Sequence, residues 1–348
     1  MCNIAAYAGT RAAAPILIEM LRRQEAFDGS ACCGIVTIHE GRFYCRKVVG
    51  NVDTLINTTD ALYLPGTVGM AHTRPGGGPE QYNFAHPFIT EGGRFAGLTN
   101  GTERFPGYKE SVQRATDYLE ARGYSFHGGT SLEKCGFPRL KNGNFVSCVE
   151  ARANLVEAYV QDGMDIPSAM ARVASECYTD SVQGILSLDT PDRFYINRTT
   201  RPAYALKHEH GMAVASCKFA FPDDEAENAE RLPVMRPCII SKNSFTVSNA
   251  VMANCEPVSP LTEEAINEGY IKISALLAGK SENPLCFDDV ETFVWNNLRY
   301  LFADDHTIIQ DAMLVYEVLF RLHREGKLKK IIRMMNGVKR RYYMWIED

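Results

Sequence analysis

The sequence predicts an α+β fold, a four-layer αββα sandwich of two antiparallel sheets between helices, followed by a small helical, winged-helix-like module. Short β-rich segments occupy the first hundred residues and 182–248, and helical segments at 107–177 separate them. An Asn-Gly turn between two β-rich segments near the end predicts a hairpin that closes the last module. We expect a sandwich domain at 2–250, a helix and linker at 251–286, and the module at 287–348.

The N-terminal region combines several strands with one helix. Residues 15–24 carry a proline at the helix start and apolar residues at helical spacing. Two β-rich segments flank Glu40-Gly41 and predict a hairpin. Strands are expected at 2–9, 34–39, 42–49, 66–73 and 94–99.

In the middle of the chain the predicted helices come before the predicted strands. Helical periodicity predicts helices at 107–122, 147–161 and 166–177, the first of them closed by Gly123. An Asn-Gly pair within KNGNF at 141–145 predicts a tight turn of the hairpin type. Five short β-rich segments then complete the second group of strands.

The C-terminal region has a different pattern. Ser259-Pro260 introduces a helix, and GKSENP at 279–284 has the composition of a linker. Two helices are expected at 287–302 and 310–325, and two β-rich segments flank Asn336-Gly337. The hairpin is basic, which favours a solvated face over phosphate contacts. Its basic residues are Lys327, Lys329, Lys330, Arg333, Lys339, Arg340 and Arg341.

Composition excludes several classes of protein. The formal net charge of −5 argues against a uniformly basic nucleic-acid binder. No uncharged apolar stretch approaches about 18 residues, and a signal-peptide pattern is lacking. The eleven cysteines include no C-x-x-C pair. They predict a reducing, cytoplasmic environment with mostly inert thiols, and the sequence predicts neither a metal site nor a cofactor.

Cys2 follows the initiator methionine. Small second residues generally permit the removal of Met1, which leaves Cys2 with both a thiol and an α-amine. The thiolate is a nucleophile, and an α-amine with a pKa of about 7.7–8.0 is a base within reach. An isolated cysteine at a strand start is more often a packing residue. The hypothesis that Cys2 is a catalytic nucleophile therefore depends on further motifs.

Those motifs occur in order along the chain. After Cys2 come AHTR at 71–74, NFAHPF at 83–88 and the pair Asn100-Gly101. This ordered set resembles the class II glutamine amidotransferase domain of the N-terminal nucleophile (Ntn) hydrolases, as in the front domain of glucosamine-6-phosphate synthase and glutamine phosphoribosylpyrophosphate amidotransferase. The resemblance covers roughly 2–250 and implies the αββα fold and an amidohydrolase reaction.

The resemblance also implies roles for individual residues. The Asn100 side chain and the Gly101 backbone N–H match the oxyanion hole, where one donor contributes about 3–4 kcal/mol. Arg74 matches the arginine that binds the substrate carboxylate, for which a planar guanidinium is well shaped. His72 and His86 match family positions, and we interpret both as supports for the loop rather than as proton carriers.

The chain departs from the family pattern at two places. Pro75 and Gly76–Gly78 replace the tryptophan and Thr-His-Gly segment that close over glutamine in the family. The family aspartate that binds the substrate α-ammonium is matched by Cys148, or in a second alignment by Ser131. Neither carries a charge, and a buried unpaired ammonium is costly. The remaining candidates for this acid are Glu133 and Glu150.

We expect a glutamine amidotransferase or glutaminase that forms a thioester on Cys2 and releases ammonia. Nothing after residue 250 matches an acceptor domain of the family, so the ammonia acceptor is a partner protein or an unrecognised site. One alternative is an Ntn amidohydrolase acting on another amide or a γ-glutamyl compound. Another is a catalytically weak sensor domain whose winged-helix module binds nucleic acid or protein. No membrane partner is expected.

Overall fold

The structure is a computed structural model that describes residues 2–25, 31–75, 79–102, 105–133, 137–280, 282–303, 308–335 and 338–346. The glycine loop Gly76–Gly78 and the expected turn at Asn336-Gly337 lie outside these ranges. Every pair of neighbouring strands in its sheets is antiparallel, as the sequence predicts.

The first sheet is built around a buried central strand. Along that strand Ala5 and Tyr7 face one side and Ile4, Ala6 and Ala8 face the other, as the two-residue period of a strand requires. In spatial order the sheet contains β11 (Glu230–Arg231), β9 (Tyr204–His208), β10 (Gly211–Ala215), β1 (Asn3–Gly9), β4 (Val68–Arg74), β2 (Cys32–His39) and β3 (Arg42–Val49).

The second sheet lies face to face with the first, and apolar residues from both sheets share one cluster. In spatial order it contains β13 (Phe245–Val247), β12 (Cys238–Ser241), β8 (Arg193–Arg198), β7 (Asp180–Ser187), β6 (Phe95–Thr102) and β5 (Phe88–Ile89). β6 continues through Asn100-Gly101, so this pair lies inside a strand and not in a hairpin turn.

Helices cover the outer faces of both sheets and complete the four layers. Apolar residues of α1 (Ala13–Gln24) and α2 (Val52–Thr58) pack on the first sheet. Those of α3 (Tyr108–Ala121), α4 (Cys148–Gln161) and α5 (Ile166–Glu176) pack on the second. The αββα prediction is therefore confirmed.

Local signals account for most helix boundaries. Ser147 accepts a hydrogen bond from the Val149 N–H and begins α4, and Asp165 caps α5 in the same way. α2 has no counterpart among the predicted elements, although Asn51 caps it through the Thr54 N–H. The KNGNF segment forms a tight turn, with Gly143 at φ +90°, that is flanked only by isolated bridges.

In the described part of the C-terminal region there are three α-helices and a three-stranded sheet. In chain order these are α6 (Glu263–Ala278), β14 (Leu285–Cys286), α7 (Phe287–Asn297), α8 (Asp311–Arg324), β15 (Leu328–Met335) and β16 (Val338–Trp345). The sheet order is β14-β16-β15. α8 is apolar on almost every face and shares one core with α1 and the first sheet. None of the helices in the described ranges is long and apolar enough to cross a bilayer.

A buried ion cluster joins this region to the second sheet. Arg201 is 1% exposed, and its guanidinium lies 2.7 Å from an Asp180 carboxylate oxygen and 2.9 Å from a Glu291 oxygen. Asp180 belongs to β7 and Glu291 to α7. Burial alone would lower the pKa of Arg201, but these carboxylates and Asp311 raise it, so Arg201 stays charged.

Replacing Arg201 should therefore weaken the whole fold. We expect Arg201→Met to lower the free energy of unfolding by about 3–5 kcal/mol, because two buried carboxylates lose their cation. Arg22→Ala is the matched control, since Arg22 and Asp53 are each 49% exposed and their pair contributes less than about 1 kcal/mol. Urea unfolding of both variants tests this, and equal effects would contradict it.

Candidate active site

The register of β1 against β4 brings Cys2 and Arg74 together. Asn3 lies opposite Thr73, and its side-chain amide donates a 3.2 Å hydrogen bond to the Thr73 hydroxyl. Cys2, the residue before β1, therefore lies opposite Arg74, the last residue of the neighbouring strand β4. These two predicted site residues, 72 positions apart in sequence, meet because the strands are antiparallel neighbours.

Asn100 approaches the same point from the second sheet. Asn100 lies two residues after Leu98 and four after Ala96 on β6, so its side chain points to the same face of the sheet, toward the first sheet. The Asn100 amide donates to the Ser216 hydroxyl oxygen at 3.4 Å, and that oxygen accepts the Ile4 N–H at 2.9 Å. Ser216 thus holds the Asn100 amide beside the start of β1. The sequence contains no motif that would have identified Ser216.

Gly101 contributes backbone alone. A Cβ at this position would lie 2.6 Å from the Asp180 carbonyl oxygen and 2.7 Å from the Ser181 Cβ. The close approach of β7 therefore excludes every other residue without a shift of the strand. Gly101 lines the same pocket as Cys2, which is the position that the sequence analysis predicts for a backbone donor.

One pocket of about 220 Å³ collects most of the predicted site residues. Its lining includes Cys2, Arg74, His86, Gly101 and Cys148. Asn100 and His72 are buried and not part of the lining. A residue that the sequence analysis missed, Arg152, also lines the pocket.

His72 and His86 form a buried pair behind the pocket. Their ring nitrogens lie 3.2 Å apart. Desolvation, reinforced by the charge of Arg74, lowers the pKa of His72 to about 3, and a hydrogen bond to the Thr99 backbone opposes the shift. Burial also holds the pKa of His86 well below its usual range. Two neutral imidazoles fit a supporting role better than proton transfer.

Arg74 is held by backbone oxygens. One guanidinium nitrogen donates to the Phe84 carbonyl at 2.7 Å, and Nε donates to the Pro75 carbonyl at 3.3 Å. Among the described residues no carboxylate forms an ion pair with Arg74. The guanidinium is therefore fixed in place and keeps its charge available for an anion in the pocket.

Cys2 is half-buried and lies directly before β1. Desolvation raises the pKa of its thiol, while nearby positive charges, including Arg74 and Arg201, oppose the shift. A thiol in this environment is largely protonated at neutral pH and needs a base to become a nucleophile.

Comparisons with known proteins show which proteins this chain resembles. No family model matches the chain. It is 30% identical over 204 residues, 58% of its length, to a glutamine–fructose-6-phosphate aminotransferase of Caldanaerobacter subterraneus. It is 29% identical over 253 residues, 72% of its length, to the aminotransferase of the same name from Pyrococcus horikoshii. The matched part of the chain is therefore similar to the glutamine-dependent aminotransferases, as the resemblance in the sequence implies.

One solved structure has a similar fold at lower sequence identity. Glutamine phosphoribosylpyrophosphate amidotransferase from B. subtilis matches with a TM-score of 0.58 and 16% identity over 80% of this chain and 58% of that one. This chain spans only 29% and 38% of the length of the two aminotransferases. The likeness therefore covers only part of each of these relatives.

The residues that the sequence analysis compares with the family aspartate lie in different places. Cys148 begins α4 and lines the pocket, whereas Ser131 and Glu133 are exposed and outside its lining. The Glu150 carboxylate accepts the backbone N–H groups of the loop at 127–128, at 2.6 and 2.8 Å. Neither Glu133 nor Glu150 is thus brought into the pocket to replace the aspartate.

The buried histidines make the stability of this protein depend on pH. Protonation of His72 is unfavourable in the folded state, since its pKa falls from 6.5 to about 3, so the unfolded state takes up the proton first. The contribution of each such histidine to the free energy of unfolding is fully present above pH 6.5. Below that pH the free energy of unfolding falls by about 1.4 kcal/mol per pH unit for each of them.

We expect His72→Gln to reduce the slope of the free energy of unfolding against pH between pH 6.5 and 5.5. The reduction should correspond to the uptake of about one proton fewer on unfolding. Urea unfolding at three pH values measures the slope. His39→Gln is the control, because His39 is 44% exposed and should leave the slope unchanged. Identical slopes in the wild type and His72→Gln would refute the assignment.

Proposed function

We propose that this chain is a glutamine amidotransferase-type amidohydrolase that cleaves a carboxamide through a thioester on Cys2. The observation that carries the proposal is the meeting of Cys2, Arg74 and Gly101 around one pocket, with Asn100 held beside it through Ser216. The names of the relatives favour glutamine as the amide.

The proposed reaction begins with removal of Met1, which gives Cys2 a free α-amine. That amine accepts the thiol proton, and the sulfur forms a bond to the amide carbon. Negative charge develops on the carbonyl oxygen, where the Asn100 amide and the Gly101 N–H are the proposed donors. The carbon–nitrogen bond then breaks, and the nitrogen takes the proton and leaves as ammonia. Water hydrolyses the thioester, which releases the carboxylic acid and restores the thiol.

Arg74 is proposed to orient the substrate. Its guanidinium is anchored on two backbone carbonyls, so a substrate carboxylate would meet a cation that needs little reorganisation. A carboxylate held there fixes the distance between the amide carbon and the sulfur.

The fate of the ammonia is a separate part of the proposal. The chain spans about a third of the length of its curated relatives, and we propose that a partner protein or a site outside the amidotransferase domain accepts the ammonia. We also propose a cytoplasmic location, where cysteine chemistry of this type stays reduced.

A sensor that binds nucleic acid through a winged-helix module has less support. In helix-turn-helix proteins the recognition helix lies in the major groove and must be exposed. α8, the last helix before the hairpin, is buried against the core on almost every face. In the basic hairpin Arg341 is 7% exposed and donates to the Arg23 carbonyl.

Replacing the proposed nucleophile should abolish catalysis. We expect Cys2→Ala to reduce ammonia release to background, because the thioester can no longer form, with a loss of at least about 1,000-fold. A coupled ammonia assay measures this. Cys45→Ala is the control, since Cys45 is also half-buried but lies on β3 outside the pocket. Intact mass should show Met1 removed, and turnover unchanged in Cys2→Ala would discard the mechanism.

The oxyanion donor allows a second test. We expect Asn100→Ala to lower kcat by about 100- to 1,000-fold with little change in KM, because the lost hydrogen bond acts on charge that develops in the transition state. Ser216→Ala should give a smaller loss in kcat, since it only releases the Asn100 amide from its position. A decrease confined to KM in both variants would argue against an oxyanion role.

A further inference from the structure

The pocket beside Cys2 has an unusual charge balance. Two arginines, Arg74 and Arg152, line it, and no carboxylate is found among its lining residues in the described ranges. A site for a substrate that carries an ammonium would contain the opposite charge. The described lining therefore carries two positive charges and no negative charge.

Arg152 provides the second of these two positive charges. It lies on α4 one turn after Cys148 and is 1% exposed. Nη1 and Nη2 each lie 3.4 Å from the Ser181 hydroxyl oxygen, and Nε has no hydrogen-bond partner in the described structure. Charge-assisted hydrogen bonds are usually about 2.7–2.9 Å long, so these contacts leave the buried cation poorly satisfied.

No neighbouring group in the described pocket neutralises Arg152. Desolvation holds the pKa of Tyr108 well above its usual range and that of His86 well below, so both are neutral. Asp180 lies between Thr179 and Ser181, which both line the pocket, but successive residues of a strand face opposite sides. Its carboxylate binds Arg201 and the Thr200 hydroxyl on the far side of the strand.

We propose that Arg152 binds a second anionic group of the substrate, at the position where glutamine carries its α-ammonium. This inference rests on the proposed amidohydrolase function and defines its substrate class as carboxamides with two anionic groups. Arg74 would bind one anion and Arg152 the other, and Cys148 would leave space where the family aspartate would repel the second charge. The structure thus links the missing aspartate to a compensating cation.

The wild-type protein allows a direct test. Two amides differ only at the carbon next to the carboxylate: glutamine carries an ammonium there, and 2-(2-carbamoylethyl)malonate carries a second carboxylate. We expect kcat/KM for the malonate to exceed that for glutamine by at least about tenfold, because a charged group of the site is satisfied by one and left unpaired by the other. A preference for glutamine would overturn the inference.

Arg152 variants assign the preference to this side chain. Arg152→Met should remove the advantage of the malonate by raising its KM, and Arg152→Lys should retain part of it. Arg172→Met is the matched control, because Arg172 lies on the exposed face of α5 with 51% of its side chain accessible. A malonate preference that survives in Arg152→Met would overturn the assignment.

Binding to the Cys2→Ala protein separates this inference from the proposed function. Calorimetric titration with the two amides needs no turnover. Tighter binding of the malonate, lost on adding Arg152→Met, supports the inference even if the wild type cleaves neither amide, in which case the amidohydrolase proposal fails. Tighter binding of glutamine overturns the inference and leaves the amidohydrolase proposal intact.

Discussion

The antiparallel register of β1 between β4 and β10 is the constraint on which the site depends. Pairing Asn3 with Thr73 places Cys2 opposite Arg74, and the hydrogen bond from Ile4 to Ser216 fixes the group that holds Asn100. A slip of one residue would turn every side chain of β1 to the wrong face of the sheet. The apolar residues on both faces of β1 oppose such a slip, so the packing of the two cores also protects the position of the thiol.

Two buried arginines show how the same residue type serves structure and binding. Arg201 is surrounded by Asp180 and Glu291, and its charge is satisfied within the fold. Arg152 is equally buried, but among the described residues its hydrogen bonds are two long contacts to one hydroxyl group. Removing a buried ion that the fold satisfies destabilises the fold, because its partners are left unpaired, whereas a buried ion that the fold leaves poorly satisfied favours a ligand of opposite charge. This contrast is the physical basis for assigning Arg152 to substrate binding.

Much of the architecture was predictable from local sequence, and some of the site was not. Periodicity and caps placed α3, α4 and α5 within one or two residues. Identical Asn-Gly pairs, however, form a tight turn at 142–143 and the interior of β6 at 100–101, because the neighbouring strand β7 decides the conformation of the second pair. Glu150 was a candidate acid in the sequence, but its carboxylate binds the loop at 127–128.

The sequence alone determined the alternation of strands and helices, the order of the site motifs, and the absence of an aspartate at the position of Cys148. These features depend on neighbouring residues or on motif identity, both of which are read along the chain. Only the tertiary structure decided that Cys148 lies beside a buried Arg152, that Ser216 positions Asn100, and that α8 is enclosed. Each of these contacts joins elements whose approach depends on strand register and core packing, and no local pattern records the distance between them.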